Sequence, residues 1–461
     1  MNSNWDRLKN DVIDSGLCTH CGTCVGLNTE NIKFEETEYG PLPIKISDGE
    51  LDPATFFACP GKGVPYPTLY RRFYDEPNQN FVTGKVLNSW IGFSNDNSIR
   101  LNSASGGIIT TTLIYLLERN LIDGAIVVLS GTPNPEDAVP IIATTKEQII
   151  ASAQSVYMPV PVNMILNKAK NFNGNLGFVG LPDQVASIRI LQMSKHPSVR
   201  NIKYILGPYT GTNMYKGAIR SFLRGRGIKD SIKINSLKWR AGEWPGYLEV
   251  ILEDGRVMKA EKFYYNYLTP FFITKSSLLA CDFTNELTDI SVGDAWSPVY
   301  EKQRKGFSVV LSRTDKGNAL LNKMYKDNMI SLEPIELLEA MSMHGHMLDF
   351  KKRGSFIRMD VLKQNGKKIP SYGYAPRDIS FSRKCVEIII SGIFNISSRA
   401  TARKISEKIP IYILGPIFNI LRISWKKMSK PTKRKGLSEA VFIKKDDEVN
   451  LLKFQSDIYV K

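Results

Sequence analysis

The chain has little cysteine. Six cysteines in 461 residues are too few for the disulfide framework of a secreted protein. The opening Met1-Asn-Ser-Asn-Trp-Asp6 has neither a basic start nor an apolar core, so it does not read as a signal peptide. Both absences point to a reducing, cytoplasmic compartment. No uninterrupted apolar run cleanly reaches the roughly 20 residues that a membrane-spanning helix needs. No internal repeat is visible. The basic residues are not interleaved with aromatics, and no nucleic-acid-binding fold is recognisable, so no nucleic-acid partner is expected. Acidic residues are scarce at one end only. Residues 351–461 hold 25 Lys and Arg against 9 Asp and Glu, a net of +16 that equals the charge of the whole chain. Residues 1–350 are balanced, with 36 of each sign. Body and tail therefore answer to different partners.

The few cysteines are not scattered. Cys18, Cys21 and Cys24 form a C-x2-C-x2-C run, and Cys59 is followed at once by Pro60. That combination is the ligand pattern of a cubane 4Fe-4S cluster, in which each thiolate holds one iron. A tight turn brings the first three together, with Gly22 relieving crowding. Zinc is the rival, although structural zinc sites favour two separated C-x2-C pairs or Cys with His. A redox-active or degenerate site is a third reading. His20 divides between a stray ligand and, preferred, a solvated loop residue beside the cluster. Cys281 and Cys385 stand apart.

The organisation expected is a mixed α/β (α+β) protein. Residues 1–80 read as a loop-rich iron–sulfur module with little strong secondary structure, punctuated by prolines at 41, 43, 53, 60, 65 and 67. Residues 85–165 and 166–350 read as two flavoprotein domains, and 370–461 as a basic amphipathic helical tail. Ile108 to Leu121 has helical periodicity, and Ala125–Leu129, Leu176–Gly180 and Tyr204–Leu206 read as buried strands. Apolar strands that end in Gly-rich loops before helices argue for parallel pairing, with ligands at the strands' carboxyl ends. Residues 231–300 look β-rich, with a hairpin turning at Asp254-Gly255.

Ser103-Ala-Ser105-Gly106-Gly107 stands at a helix start. Free N–H groups there favour an anion, and glycines admit close approach, which suits a dinucleotide or flavin edge. Simple helix capping explains the same residues. The loop Gly180-Leu-Pro182-Asp183-Gln184 divides the same way, as does Asp294 between a cofactor contact and a turn aspartate. Arg240 and Trp244 are open between site and scaffold. His344 and His346 form an i, i+2 pair attractive for a metal, but with no nearby carboxylate partner they read as structural.

Taken together, the motifs resemble the beta-subunit family of coenzyme F-420 hydrogenases and dehydrogenases, iron–sulfur flavoproteins that include 7-hydroxymethyl chlorophyll a reductase. The resemblance runs from about Cys18 to about Trp296. It rests on the cysteine run, Ala58-Cys-Pro-Gly61, the stretch from Ser103 to Val128, the loop and helix from Val179 to Leu191, Trp239–Gly246 and Thr288–Trp296. It implies FAD seated by Ser103, Ser105, Gly106, Gly107, Gly180, Pro182, Asp183, Gln184 and Asp294. It also implies one 4Fe-4S cluster on Cys18, Cys21, Cys24 and Cys59, with coenzyme F-420 as co-substrate. A redox partner is implied (a ferredoxin, or a hydrogenase or dehydrogenase subunit), and an oligomer. Two departures stand out: Asp183 occupies a position where the family pattern has cysteine, and Cys281 stands where two cysteines are usual.

The tail holds two apolar stretches, Val386–Ile396 and Ile409–Trp425, then Lys426, Lys427, Lys430, Lys433, Arg434 and Lys435. An interfacial helix with a cationic rim fits residues 386–435 better than a span, so a peripheral position on the cytoplasmic membrane face is one expectation. Ordinary packed helices with a solvated basic end are the second, and electrostatic attraction of the acidic tail of coenzyme F-420 the third.

Overall fold

The computed structural model describes residues 3–75, 80–261, 266–434, 437 and 440–445. Within the last helix, the side chains of 411, 422 and 425–434 lie outside the described ones, as does Lys435 altogether.

The N-terminal region is more regular than its sequence suggests. It contains helices α1 (Asn4–Leu8) and α2 (Thr23–Leu27), the antiparallel hairpin of β1 (Ile32–Thr37) and β2 (Gly40–Lys45), then α3 (Ala54–Phe57) and α4 (Tyr66–Tyr74). The prolines do not break these elements. Pro53 immediately precedes α3, and Pro67 sits in the first turn of α4, where a missing N–H costs nothing. Pro41 and Pro43 lie in β2 of a two-stranded hairpin, whose open edge tolerates proline. Nor is this region a separate module. Leu8, Val12, Leu69 and Tyr70 share one core with Val185, Ile188 and Leu191, all on α6 (below).

The centre is an eight-stranded mixed sheet, ordered β13-β3-β12-β11-β7-β6-β4-β5. Its strands are β3 (Asn88–Ser94), β4 (Gly124–Ser130), β5 (Ala138–Ala143), β6 (Leu176–Val179), β7 (Ile202–Pro208), β11 (Ile290–Asp294), β12 (Ser308–Ser312) and β13 (Ile330–Pro334). Only β4, β6, β7 and β11 run parallel; β5 flanks them antiparallel on one side, and β12, β3 and β13 continue antiparallel on the other. Strands from both sides of residue 165 are therefore hydrogen-bonded into one sheet. Helix α5 (Ile108–Glu118) and helix α6 (Pro182–Met193) cover it. The near-continuous burial of Ala125, Ile126, Phe178, Ile205 and Leu206 is what a strand covered on both faces requires.

Between β7 and β11 the chain makes α7 (Gly217–Arg224), a three-stranded antiparallel sheet of β8 (Ile234–Ala241), β9 (Tyr247–Leu252) and β10 (Val257–Glu261), and the short helix α8 (Leu268–Phe272). The turn at Asp254-Gly255 joins β9 to β10, with Gly255 at φ +84°.

The C-terminal quarter packs on this body. Helices α9 (Leu337–Asp349), α10 (Ser355–Gln364), α11 (Phe381–Ser397), α12 (Ala400–Lys408) and α13 (Ile411–Arg434) follow one another. The region is not purely helical: β14 (Tyr374–Pro376) pairs with β15 (Phe442–Lys444), and Phe442 packs against Phe81 and Tyr374. Among the described residues no helix is long and apolar enough to cross a membrane.

Candidate functional site

Two chambers lie side by side, and the expected residues divide between them.

Cys18, Cys21, Cys24 and Cys59 all line the smaller one, together with apolar Leu8, Val12, Phe34 and Pro43. All are free thiols. The local turn that assembles them depends on Gly22, which caps α2 at φ +95°. A Cβ there would lie 2.5 Å from the Met164 backbone nitrogen, so the close approach is to the 160–164 segment. The His20 N–H points to Cys18 Sγ at 3.4 Å, and the Thr23 hydroxyl lies 3.3 Å from Cys21 Sγ. Such contacts favour the thiolate. Burial pushes every one of these thiols up, Cys59 to about 12, and the neighbouring cysteines add to the rise in Cys24. Four clustered thiolates are thus held only if a cation offsets burial and mutual repulsion, and iron is such a cation. Among the described residues, no three His, Cys, Asp or Glu side chains converge tightly enough to hold a single metal ion. The quartet's donor chemistry fits a cluster whose corners each take one thiolate.

His20 departs from its reading as a solvated residue. It is buried, its Nδ1 lies 3.0 Å from the Pro41 carbonyl, and burial lowers its pKa. The β1–β2 hairpin lies against the cysteine loop: Phe34 and Pro43 line the chamber, and Gly40 packs on the His20 ring. Cys281 is not among the residues lining this chamber; it is buried elsewhere, accepting from the Tyr374 hydroxyl at 3.3 Å.

The larger chamber is a cavity of about 440 Å³ at the carboxyl ends of the parallel strands. Val127 and Val128 of β4, Val179 at the end of β6 with Gly180 after it, Pro208 at the end of β7 with Tyr209 after it, and Gly293 and Asp294 of β11 all face it. Ser103, Ser105, Gly107 and Gln184 do too. The start of α5 lies in its wall, with Gly107 at φ +80° and no side chain capping the first turn; Ile108, Ile109 and Thr110 border the cavity. Free N–H groups there suit a phosphate.

The two hydroxyls are already engaged. Ser103 Oγ donates to the Ile99 carbonyl at 2.7 Å, and Ser105 Oγ pairs with Ser308 Oγ at 2.8 Å. Gly106 is not among the lining residues. Its N–H donates to Ser308 Oγ, and a Cβ there would meet the Gly92 carbonyl at 2.5 Å; tight packing on β3 demands this glycine. Gln184 is a strut: its amide takes the Leu181 N–H and donates to the Val160 carbonyl.

Asp183 turns the other way. Burial pushes its carboxyl up to about 6 against the N–H groups at the start of α6 and the Lys351 cation, and its charge in turn raises Cys18 and Cys21. It and Pro182 do not line the large cavity.

Asp294 is gripped by a buried cation. Arg240 Nη1 approaches Asp294 Oδ2 at 3.1 Å, and the Trp244 indole N–H approaches Oδ1 at 3.3 Å. Burial works against the Arg240 cation, but the Asp294 carboxylate outweighs it and raises its pKa. Trp244 also packs on Trp296, ring centres 4.8 Å apart. Both histidines of the 344/346 pair line the cavity. His344 Nε2 lies 2.7 Å from the Asp294 carbonyl oxygen. A carbonyl only accepts, so the proton sits on Nε2. Burial lowers the His344 pKa to about 4 and keeps the ring neutral. Nothing local in Met343-His-Gly-His-Met347 signals this cavity, because α9 reaches it only through tertiary packing.

One thin wall separates the chambers. Val160 and Val162 border the large cavity, while the Asn163 N–H donates to the Cys21 carbonyl at 2.9 Å. The Asn163 side chain bonds both Thr23 Oγ1 and the Gln184 carbonyl. A cysteine-loop residue and a cavity-lining residue are thus joined through one amide.

Two family models match, both for the beta subunit of coenzyme F-420 hydrogenase/dehydrogenase. Residues 89–167 match the model of its N-terminal part, and residues 173–337 the model of its C-terminal part. Together these cover more than half of the chain. The chain belongs to the coenzyme F-420 hydrogenase/dehydrogenase beta-subunit family. It is 25% identical over 364 residues to a coenzyme F-420-dependent sulfite reductase of Methanocaldococcus jannaschii, covering 76% of this chain and 52% of that protein. The match therefore spans about half that relative's length. It is 29% identical over 252 residues to the coenzyme F-420 hydrogenase subunit beta of Methanococcus voltae, covering 52% of this chain and 82% of that one. A chain of the F-420-reducing [NiFe] hydrogenase complex of Methanosarcina barkeri superposes with a TM-score of 0.49 at 22% identity, over 61% of this chain and 94% of that one. In this member of the beta-subunit family, the matched residues supply the large cavity's strand ends, whereas the cysteine loop precedes them and helices α11–α13 follow them.

Proposed function

We propose that this chain is an iron–sulfur flavoprotein oxidoreductase. It passes electrons between coenzyme F-420, or a ferredoxin-like donor, and an acceptor, through FAD in the large cavity and one 4Fe-4S cluster in the cysteine chamber. The observation that carries this reading is the shared wall: Val160, Val162, Asn163 and Gln184 stand between a four-cysteine pocket and a cavity at the strand ends. When bound, FAD would exchange hydride with the deazaflavin and single electrons with the cluster. The protein's part is position and electrostatics. Cys18, Cys21, Cys24 and Cys59 would hold the cluster, and the open N–H groups at the start of α5 would take a phosphate of the dinucleotide. The Arg240–Asp294 pair fixes the cavity's polar end, and neutral His344 presents no charge there. The names of the sulfite reductase and hydrogenase relatives support F-420-linked redox chemistry.

Anaerobic purification should yield a brown-yellow protein with about four irons and four acid-labile sulfides per chain. Its flavin should bleach on adding reduced F-420. A colourless protein without flavin sinks the reading. One equivalent of zinc with no iron selects a zinc-stabilised binding module instead.

A second reading has one observation in its favour. Asp183 replaces a family cysteine and Cys281 stands alone, so the chain would serve as an electron-transfer subunit docked on a separate catalytic partner. Steady-state F-420 or dye reduction by the isolated chain excludes it.

A further inference from the structure

Helix α11 buries an ionic cluster beside Ile390. Its inward face carries ions: Arg383 and Glu387 are both fully buried, and Arg383 pairs with Asp349 at 2.7 Å and with Glu387 at 2.8 Å, while Arg358 meets Glu387 from α10. Its outward face carries Ile388, Ile389, Ile393 and Ile396, exposed by 46–62%. The stripe continues beyond it, with Ile405 exposed on α12 and Ile413, Ile417, Ile420 and Leu421 exposed on α13. A monomer in water gains nothing from such a face.

This apolar surface is not a loose appendage. Glu407 of α12 takes two hydrogen bonds from Arg224, Arg403 donates to the Phe271 carbonyl, and Phe418 of α13 packs on Tyr267 and Phe271. It is cationic as well. Residues 381–434 hold twelve Lys and Arg and only two acids. Both acids are spent inward, Glu387 on Arg383 and Arg358, and Glu407 on Arg224. Lys384, Arg399, Lys404 and Lys408 are exposed among the apolar residues.

We propose that helices α11–α13 form a docking surface for an anionic lipid bilayer. Isoleucines would enter the headgroup boundary while the basic residues meet lipid phosphates, the combination that holds an interfacial helix. Four exposed cations, Lys384, Arg399, Lys404 and Lys408, beside an exposed apolar face whose two acids are turned inward match that occupant by charge. Residues 381–434 lie beyond the residues matched by the family models, so the surface is separate from the shared redox core. It is nonetheless coupled to it: α8, on which α11 packs, also contributes Thr269 to the large cavity's lining. This inference stands whether or not F-420 is the co-substrate.

The test is flotation of the full chain with vesicles of phosphatidylglycerol and phosphatidylcholine, against vesicles of phosphatidylcholine alone. At least about tenfold preference for the anionic vesicles is expected, lost in high salt. The double substitution Ile389→Ser/Ile393→Ser should cut binding by about tenfold, with iron, flavin content and Tm unchanged because both side chains face outward. Equal binding to both vesicle types, or undiminished binding by the serine variant, overturns the proposal. So does a native dimer that the serine variant dissociates, since a second copy would then cover the face.

Discussion

The two chambers are built by different rules. The cysteine chamber takes its four sulfurs from one short loop and one Cys-Pro step, closed over by a hairpin. The large cavity gathers single residues from four parallel strand ends, two helix starts and α9, scattered along the chain from Ser103 to Met347. A locally encoded site fails as a unit when one ligand goes. A site assembled at long range loses its wall by degrees. The electrostatics differ in the same sense. The cysteine chamber crowds four thiols whose ionised forms burial and mutual repulsion disfavour, whereas in the cavity the buried Arg240 cation pairs with Asp294.

That contrast can be broken or sharpened by substitution. The largest effect belongs to the quartet: Cys21→Ser should abolish most bound iron and sulfide, read by chemical analysis under argon, with flavin largely retained. Survival of iron and turnover in every single-cysteine variant would remove the basis of the proposed function. Next, Gly22→Ala forces a Cβ into the left-handed region and against the Met164 backbone. It should lower stability by about 2–4 kcal/mol, visible as a fall in Tm.

The cavity side should respond more gently and with pH. His344 is depressed to about 4 in the folded chain, against about 6.5 when unfolded. Between those values the unfolded chain binds the extra proton, so stability is full above about pH 6.5 and falls as pH drops toward 4, by roughly 2–3 kcal/mol. His344→Gln should flatten that part of the profile, measured by urea unfolding at pH 7 and pH 5. Smallest of all, Ser105→Ala removes one hydrogen bond to Ser308, costing about 1 kcal/mol. Iron content should not change. A loss of iron in the Ser105 or His344 variant would mean that the chambers are not separately built.

Much of the fold is legible in the residues because local physics dominates it. The apolar runs at 124–130, 176–179 and 202–208 have nowhere to go but a covered sheet, and Asp254-Gly255 announces its hairpin. The antiparallel strands β3, β12 and β13 are not legible, because nothing in a half-polar run such as Asn88–Ser94 says which partner it will meet. The N-terminal helices are hidden by prolines that read as interruptions yet stand at helix starts. Asp183 reads as part of the flavin-side loop, but the first turn of α6 aims it at the cysteines.

By itself, the sequence determined the four-cysteine pattern, the parallel strand core and the concentration of positive charge in the last quarter, since each is written in neighbouring residues. The tertiary structure alone decided that α9 brings His344 to Asp294, that Asn163 bridges the two chambers, and that α11 turns Arg383 and Glu387 inward and Ile388, Ile389, Ile393 and Ile396 outward. The physical reason is distance along the chain. Spacing of a few residues fixes which side chains can share one turn, but a buried pair far apart in sequence exists only once packing has excluded water from it.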